Sequence, residues 1–438
     1  MTTTYDPQHP AYLDEADARI EMSRVFDVCR ECRRCTDLCP SFPALFDALD
    51  GLGGADAGMM TPGEQDRVVD SCSQCSLCVV NCPYVPGMHD AAVDFPRLML
   101  RAVAMRGTAA GASPRGVLVR LAARHADRVG AFASSAARFV NPVIVAAPRS
   151  IVRRVVARVL GVSDVRTIPG FARTRFSAWF ARRPRTSVAY PQGRVVVHPT
   201  CVVEYRRPEI GAALVKVFEH NGVQCDVSAA RCCGAPMLRA GDVRGFTRAA
   251  VDNVAVLAAE IRRGADVVVA QPECLRVVRR DYVDHVGGPD AQLVADHAVD
   301  PCEYLMRLHR GEGTSFDTNF GGVVPASVAY ASSPHLQVLG IGDKGRDVLK
   351  LTGARVVLIE DESGGGGRWG LRVRNAKRSI ALAKRLGDRM VATGADVFVG
   401  DCHYANTAVV EQTGRDAMHP LQVVARAYGG VGRDGRTA

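Results

Sequence analysis

Two short runs constrain this chain more than any other feature. Cys29-x2-Cys32-x2-Cys35-x3-Cys39-Pro40 recurs as Cys72-x2-Cys75-x2-Cys78-x3-Cys82-Pro83. This is the spacing that binds paired 4Fe–4S clusters in bacterial ferredoxins, where the fourth Cys of each run ligates the other cluster. Three thiolates two residues apart wrap three corners of one cubane, and the Cys before the Pro turns toward the neighbouring one. The expected ligands are Cys29, Cys32, Cys35 and Cys82 for a first cluster, and Cys72, Cys75, Cys78 and Cys39 for a second. Structural zinc also uses Cys-x2-Cys pairs, but it takes two pairs per site. Here two matching quartets each end in Cys-Pro. A helical two-cluster ferredoxin domain is therefore expected over 1–100.

The 438 residues leave room for two or three domains at ~150 residues each. No apolar run reaches the ~18 residues of a membrane-spanning helix, which excludes an integral membrane protein. The opening MTTTYDPQHPAYLDEADARI has neither a basic nor an apolar leader segment, so no secretory signal is expected. In the cytoplasmic setting this implies, the 15 Cys serve metal or redox chemistry and not disulfides.

Charge divides the chain. Residues 101–190 hold 17 Arg, no Lys and two acids, Asp127 and Asp164, a surplus of +15 that leaves the remainder at −6. The segment reads as a linker of basic, Ala-rich helices. Over 149–160 the pattern is amphipathic: at 100° per residue, Val152, Val155, Val156, Val159 and Leu160 share one side, opposite Arg153, Arg154 and Arg158. Such a helix either lies on an anionic membrane surface or packs on its own domain with Arg outward. Aromatic residues interleave with these Arg, but no recognition motif accompanies them, so nucleic acid is not an expected partner.

Beyond Gly193, β-branched runs alternate with helical stretches. Residues 194–200, 265–273, 326–333, 354–361 and 395–401 read as buried strands of parallel sheet. The stretches IGAALVKVFEHNG, FTRAAVDNVAVLAAEIRRG and NAKRSIALAKRLGDRMVATG read as helices between strands. The pattern repeats: Cys201, Cys232-Cys233-Gly234 and Cys274 are spaced 31 and 41 apart, and Pro334, Glu362-Ser363-Gly364 and Cys402 are spaced 28 and 39 apart. Two tandem α/β units are expected, 191–325 and 326–438. In the first, Cys201, Cys232, Cys233 and Cys274 offer four thiolates near strand ends, where open α/β sheets place their sites. They are candidates for a third metal or redox centre. Cys225 and Cys302 lie outside every constellation and read as core thiols.

These features together resemble the CCG-domain iron–sulfur oxidoreductases, the family of heterodisulfide reductase and glycolate oxidase iron–sulfur subunits, and within it the C subunits of anaerobic glycerol-3-phosphate dehydrogenases. The stretches that carry the resemblance are CRECRRCTDLCP, CSQCSLCVVNCPY, GFARTRFSAWFARR, RCCGAP, YASSPHLQVLGIGDKGRD, DESGGGGRWG and DCHYANTAVVEQTGRDAMHPLQVVA. The resemblance implies tandem CCG repeats, an iron–sulfur cluster on the first, and a membrane-bound dehydrogenase complex. The departures are specific. The family's CCG element ends in Cys-x2-Cys, but here it is Cys274-Leu-Arg-Val277. In the second repeat Pro334 replaces the first Cys and Glu362-Ser363-Gly364 the CCG turn, leaving Cys402 with His335, Glu362 and His403 as neighbours in prospect. One thiolate with nitrogen and oxygen donors suits a 4Fe–4S cluster poorly, so the second repeat is expected to be a degenerate site kept for the fold.

The function expected is electron transfer. A flavoprotein dehydrogenase partner passes electrons singly to the two ferredoxin clusters, and the CCG centre delivers them to membrane quinone, the chain sitting peripherally on the inner face of the cell membrane. The rival expectation is a heterodisulfide-reductase-like catalytic subunit, against which the missing fifth Cys counts. Gly340-Ile-Gly342-Asp343-Lys344-Gly345 matches a dinucleotide-binding pattern, but its following helix should be short, and no nucleotide is expected. His89 reads as a surface residue.

Overall fold

The computed structural model describes residues 5–108, 114–184, 192–364 and 369–429. Part of the DESGGGGRWG stretch, 365–368, the C-terminal end of the basic segment, 185–190, and the side chains of Val159 and Leu160 lie outside the described set. The architecture is a mixed helical and α/β one, with a ferredoxin-like N-terminal unit and two four-stranded parallel sheets.

In the N-terminal unit, helices Glu15–Cys32, Ser41–Asp50, Pro62–Ser71 and Phe95–Thr108 close around Met22, Phe26, Phe42, Leu45, Phe46, Leu98 and Met99. Local chemistry sets their ends. Asp14 caps the first helix by accepting from the Asp17 amide at 2.8 Å. Arg33, left-handed at φ 49, stops it just after Cys32. Thr61 and Glu64 form a capping box ahead of Pro62. The cysteines thus lie at helix ends: Cys29 and Cys32 in the last turn of the first helix, Cys39-Pro40 at the start of the next, and Cys72 and Cys82 as C-caps.

Strands β1 (Arg194–Val197), β2 (Gln224–Val227), β3 (Ala265–Val268) and β4 (Ala298–Val299) pair in parallel in the order β2-β1-β3-β4. β5 (Ser327–Ala331), β6 (Arg355–Ile359), β7 (Val397–Gly400) and β8 (Ala417–Met418) pair in parallel in the order β6-β5-β7-β8. The first sheet is buried on both faces: Val196 and Val267 join one core, and Val195, Val197 and Val268 join another. That second core also takes Val348, Leu421, Val424 and Ala425 from the C-terminal unit, so the two sheets share apolar packing. The five strands expected from β-branched runs all form. β2, β4 and β8 went unread because β2 interleaves Gln and Asp with Cys and Val, and the other two are two residues long. The helices between strands form over Pro208–His220, Val243–Arg262 and Ala376–Ala392.

The basic segment forms helices Pro114–Arg124, Ala126–Ser135, Ala137–Ile144, Ile151–Leu160 and Phe176–Arg182. Its orientation reverses one of the two sequence-level alternatives. Arg153 is buried and donates to the carbonyls of Ile144, Ser163 and Arg166, while Ile151, Val152 and Val155 are exposed by 73%, 43% and 57%. A packed helix with all its Arg outward is therefore ruled out: the carbonyls at the ends of neighbouring segments need donors, and Arg153 supplies them.

Candidate iron–sulfur centres

The first quartet surrounds a hollow lined by Cys29, Cys32, Cys35 and Cys82 with Phe42, Phe46 and Phe95. Cys78 of the other quartet also reaches this wall. Cys39 lies not with its own run but beside Cys72, Cys75 and Cys78. Burial pushes the Cys35 thiol up to about 11, with Cys82 and Cys32 adding to the rise. Burial likewise lifts Cys39 to about 12 and Cys72 to about 11. Sulfurs this enclosed and this close stay protonated unless a bound cation compensates their charge. Thiol-only donors in such pockets suit iron–sulfur clusters. Among the described residues no three His, Cys, Asp or Glu side chains converge closely enough to hold one metal ion, and the first quartet stands around a hollow and not around a point.

In the first α/β unit the loops after β1, β2 and β3 carry Cys201, Cys232, Cys233 and Cys274 to one end of the sheet. Thr200, left-handed at φ 55, turns the chain into helix Thr200–Tyr205 with Cys201 on it. Cys232 and Cys233 precede Gly234, and Cys274 lies in helix Pro272–Arg276. The four sulfurs are neighbours in series, Cys201 with Cys232, Cys232 with Cys233 and Cys233 with Cys274. Contact with Cys233 is the strongest single influence on Cys274 and lowers it, but burial together with the nearby Cys201, Glu273 and Cys232 raises the thiol to about 12. Gly234 adopts φ +92, and a Cβ there would stand 2.6 Å from the Phe246 ring. Gly234→Ala is therefore expected to destabilise this unit by about 2–4 kcal/mol, from overpacking plus left-handed strain, read as a lower urea midpoint.

The residues that hold this turn carried no sequence signal. Asp127, one of only two acids in the basic segment, accepts from the Cys232 amide at 2.9 Å and from the Tyr205 hydroxyl at 3.2 Å. Asn253 donates to the Cys232 carbonyl at 3.1 Å and to the Tyr282 hydroxyl at 2.9 Å; Tyr282 in turn donates to the Cys233 carbonyl at 3.1 Å. The position of the absent fifth Cys, Val277, is fully buried in the apolar core.

At the corresponding end of the second sheet, Cys402, His335 and Glu362 line a small cavity with Cys75, Glu273 and Tyr404. Cys402 accepts from Gln271 Nε2 at 3.2 Å. His403 does not join them; Arg207, Arg206 and His419 stand near it instead. Cys225 and Cys302 are buried in the core, and His89 is exposed, with its ring edge on Tyr84. The Gly340–Gly345 turn follows a helix and not a strand, and leads into the eight-residue helix Lys344–Leu351, so the dinucleotide pattern lacks its context.

Comparison with known proteins agrees with this reading. A 4Fe–4S dicluster domain matches residues 21–83 and a CCG cysteine-rich domain matches residues 195–279. The C subunit of the anaerobic glycerol-3-phosphate dehydrogenase of Escherichia coli strain K12 is 24% identical over 308 residues, 69% of this chain and 75% of that one. Its O157:H7 counterpart gives the same figures. The B subunit of the fumarate reductase (CoM/CoB) of Methanothermobacter marburgensis is 30% identical over 97 residues, 21% of this chain and 18% of that one. The crystal structure of a hypothetical protein from Helicobacter pylori covers 90% of this chain and 78% of its own, at a TM-score of 0.38 and 12% identity, too distant to bear on the fold.

Proposed function

We propose that this homologue of the anaerobic glycerol-3-phosphate dehydrogenase C subunit, with its dicluster and CCG domains, relays electrons from a flavoprotein dehydrogenase partner to quinone at a membrane surface. Cys29, Cys32, Cys35 and Cys82 hold a first 4Fe–4S cluster, and Cys72, Cys75, Cys78 and Cys39 a second. Cys201, Cys232, Cys233 and Cys274 hold a third centre on the first CCG repeat. The 326–438 unit is a degenerate second repeat, a reading supported by the matching strand order of the two sheets. Clusters accept and release one electron at a time, so they split the two-electron oxidation of a partner's flavin into single steps.

Order along the relay follows from contacts. Cys78 lies on the wall of the first quartet's hollow. Arg239, just past the CCG turn, donates to the Ser73 carbonyl at 2.8 Å and pairs with Glu273 at 2.6 Å, next to Cys274. The second quartet therefore stands between the first and the CCG centre. Arg33 and Arg34 flank the first hollow, and both are exposed; that is where the partner docks.

The observation that carries the membrane end is helix Ala126–Ser135. Its Asp127 holds the Cys232 amide, while its Val129 and Phe132 are exposed by 48% and 73%. Val117, Leu118, Leu121, Phe139, Val143, Ile151, Val152 and Val155 on the neighbouring helices are exposed too. No helix among the described residues is long and apolar enough to cross a membrane. An apolar face set in an Arg-rich segment suits the surface of an anionic bilayer. Val277 in place of a fifth Cys favours an ordinary four-thiolate centre over a heterodisulfide-type catalytic one.

Vesicle binding and reoxidation test this together. Dithionite-reduced protein is expected to co-sediment with phosphatidylglycerol vesicles and to be reoxidised by quinone dissolved in them. Replacing Ile151, Val152 and Val155 by Ser should weaken binding at least tenfold, at about 1 kcal/mol or more per partly inserted side chain. Equal binding by this variant would remove the membrane face. Reduced clusters that ignore quinone would remove quinone as the acceptor.

A further inference from the structure

The degenerate site of the second α/β unit faces the second ferredoxin quartet. His335 Nε2 lies 3.0 Å from the Gln74 carbonyl oxygen; a carbonyl only accepts, so this nitrogen carries the proton. Glu362 touches Cys75, and both line the same cavity. Two further contacts come from the same unit: Trp369 Nε1 donates to the Asp70 carbonyl at 3.0 Å, and Arg378 donates to Ser71 Oγ at 2.7 Å.

The loop held in this way is unusual. Gln74 and Ser76 are both left-handed, at φ 63 and 67, a conformation that non-glycine residues keep only where surrounding contacts over-determine it. In that conformation the Gln74 side-chain amide donates to Cys72 Sγ at 3.4 Å and to the Pro96 carbonyl at 3.2 Å. An N–H···S bond to a cluster sulfur favours the more negative, reduced cluster and raises its potential.

We propose that the second α/β unit is a clamp on the second cluster's loop, in which His335 is a positioning residue that keeps Gln74 left-handed and its amide on Cys72, and so sets that cluster's potential. The proposal rests on the reading that Cys39, Cys72, Cys75 and Cys78 hold a cluster. It gives the residues around the degenerate site of this unit a task for the neighbouring domain.

The test is an EPR-monitored redox titration of the intact, iron-loaded chain. His335→Leu is expected to lower the second cluster's potential, shifting its oxidised-to-reduced ratio at fixed poise by about fivefold to tenfold, the worth of one hydrogen bond. The first cluster should not move. His335→Gln, which retains an N–H donor, should stay near the parent value. Gln74→Leu removes the N–H···S bond without touching the second unit and should reproduce the fall, which keeps the test decisive if His335→Leu loses its cluster. Unchanged potentials in Gln74→Leu, or an equal shift of both clusters in His335→Leu, would overturn the clamp alone. A parent chain with no second cluster signal would end the relay reading, and the clamp with it.

Discussion

Replacing Cys75 by Ser should cost the chain about four iron atoms and one EPR signal, one cubane's worth. Cys75 packs against Cys39 and Cys78, which the cluster already uses, and against Glu362, while the thiol on the far side of its pocket, Cys402, is engaged by Gln271. A serine oxygen is a hard donor that suits a 4Fe–4S cluster poorly. Because the second quartet stands between the first hollow and the CCG turn, electron flow from a reduced partner should fall at least a hundredfold. Cys39→Ser gives the sharper comparison. It belongs in sequence to the first run but lies beside Cys72, so it should lose the same signal as Cys75→Ser and not the one lost in Cys32→Ser. If Cys39→Ser instead matched Cys32→Ser, the crossed ligation would be wrong. Cys225→Ser, a core thiol, should leave iron unchanged.

Anaerobically purified protein should carry about 12 iron and a similar amount of acid-labile sulfide per chain, three cubanes of four. Cys233→Ala should lower this to about eight and remove a third reduced-state signal. Cys233 lies in the middle of the sulfur series, with Cys232 on one side and Cys274 on the other. Removing it leaves the two flanking thiols without a continuous ligand set. Cys402→Ser should keep all 12, because Cys402 faces Gln271, Glu273 and His335 and no second thiol of its own repeat. About eight iron in the parent, unchanged by Cys233→Ala, would reduce the relay to two clusters and leave the CCG cysteines as thiols or a zinc site.

Much of the architecture was legible because short-range spacing carries it. The two Cys runs specify their chemistry within eleven residues each, and the buried strands β1, β3, β5, β6 and β7 announce themselves as β-branched runs. Edge strands β2, β4 and β8 do not, since a mixed or two-residue strand has no alternation to read. Helix Ile151–Leu160 was legible as amphipathic, but not which side faces solvent. Its hydropathy pattern says nothing of the three carbonyls that draw Arg153 inward.

The sequence by itself determined the candidate donor atoms, their grouping by run, and the scarcity of thiols in the second α/β unit, because covalent spacing is local. Only the tertiary structure decided that Asp127 holds the CCG turn across 105 residues and that His335 reaches the Gln74 carbonyl across 261. Hydrogen bonds between segments so far apart leave no periodicity in the chain. They exist because packed sheets and helices bring buried polar groups together, and each such group must find a partner once water is gone.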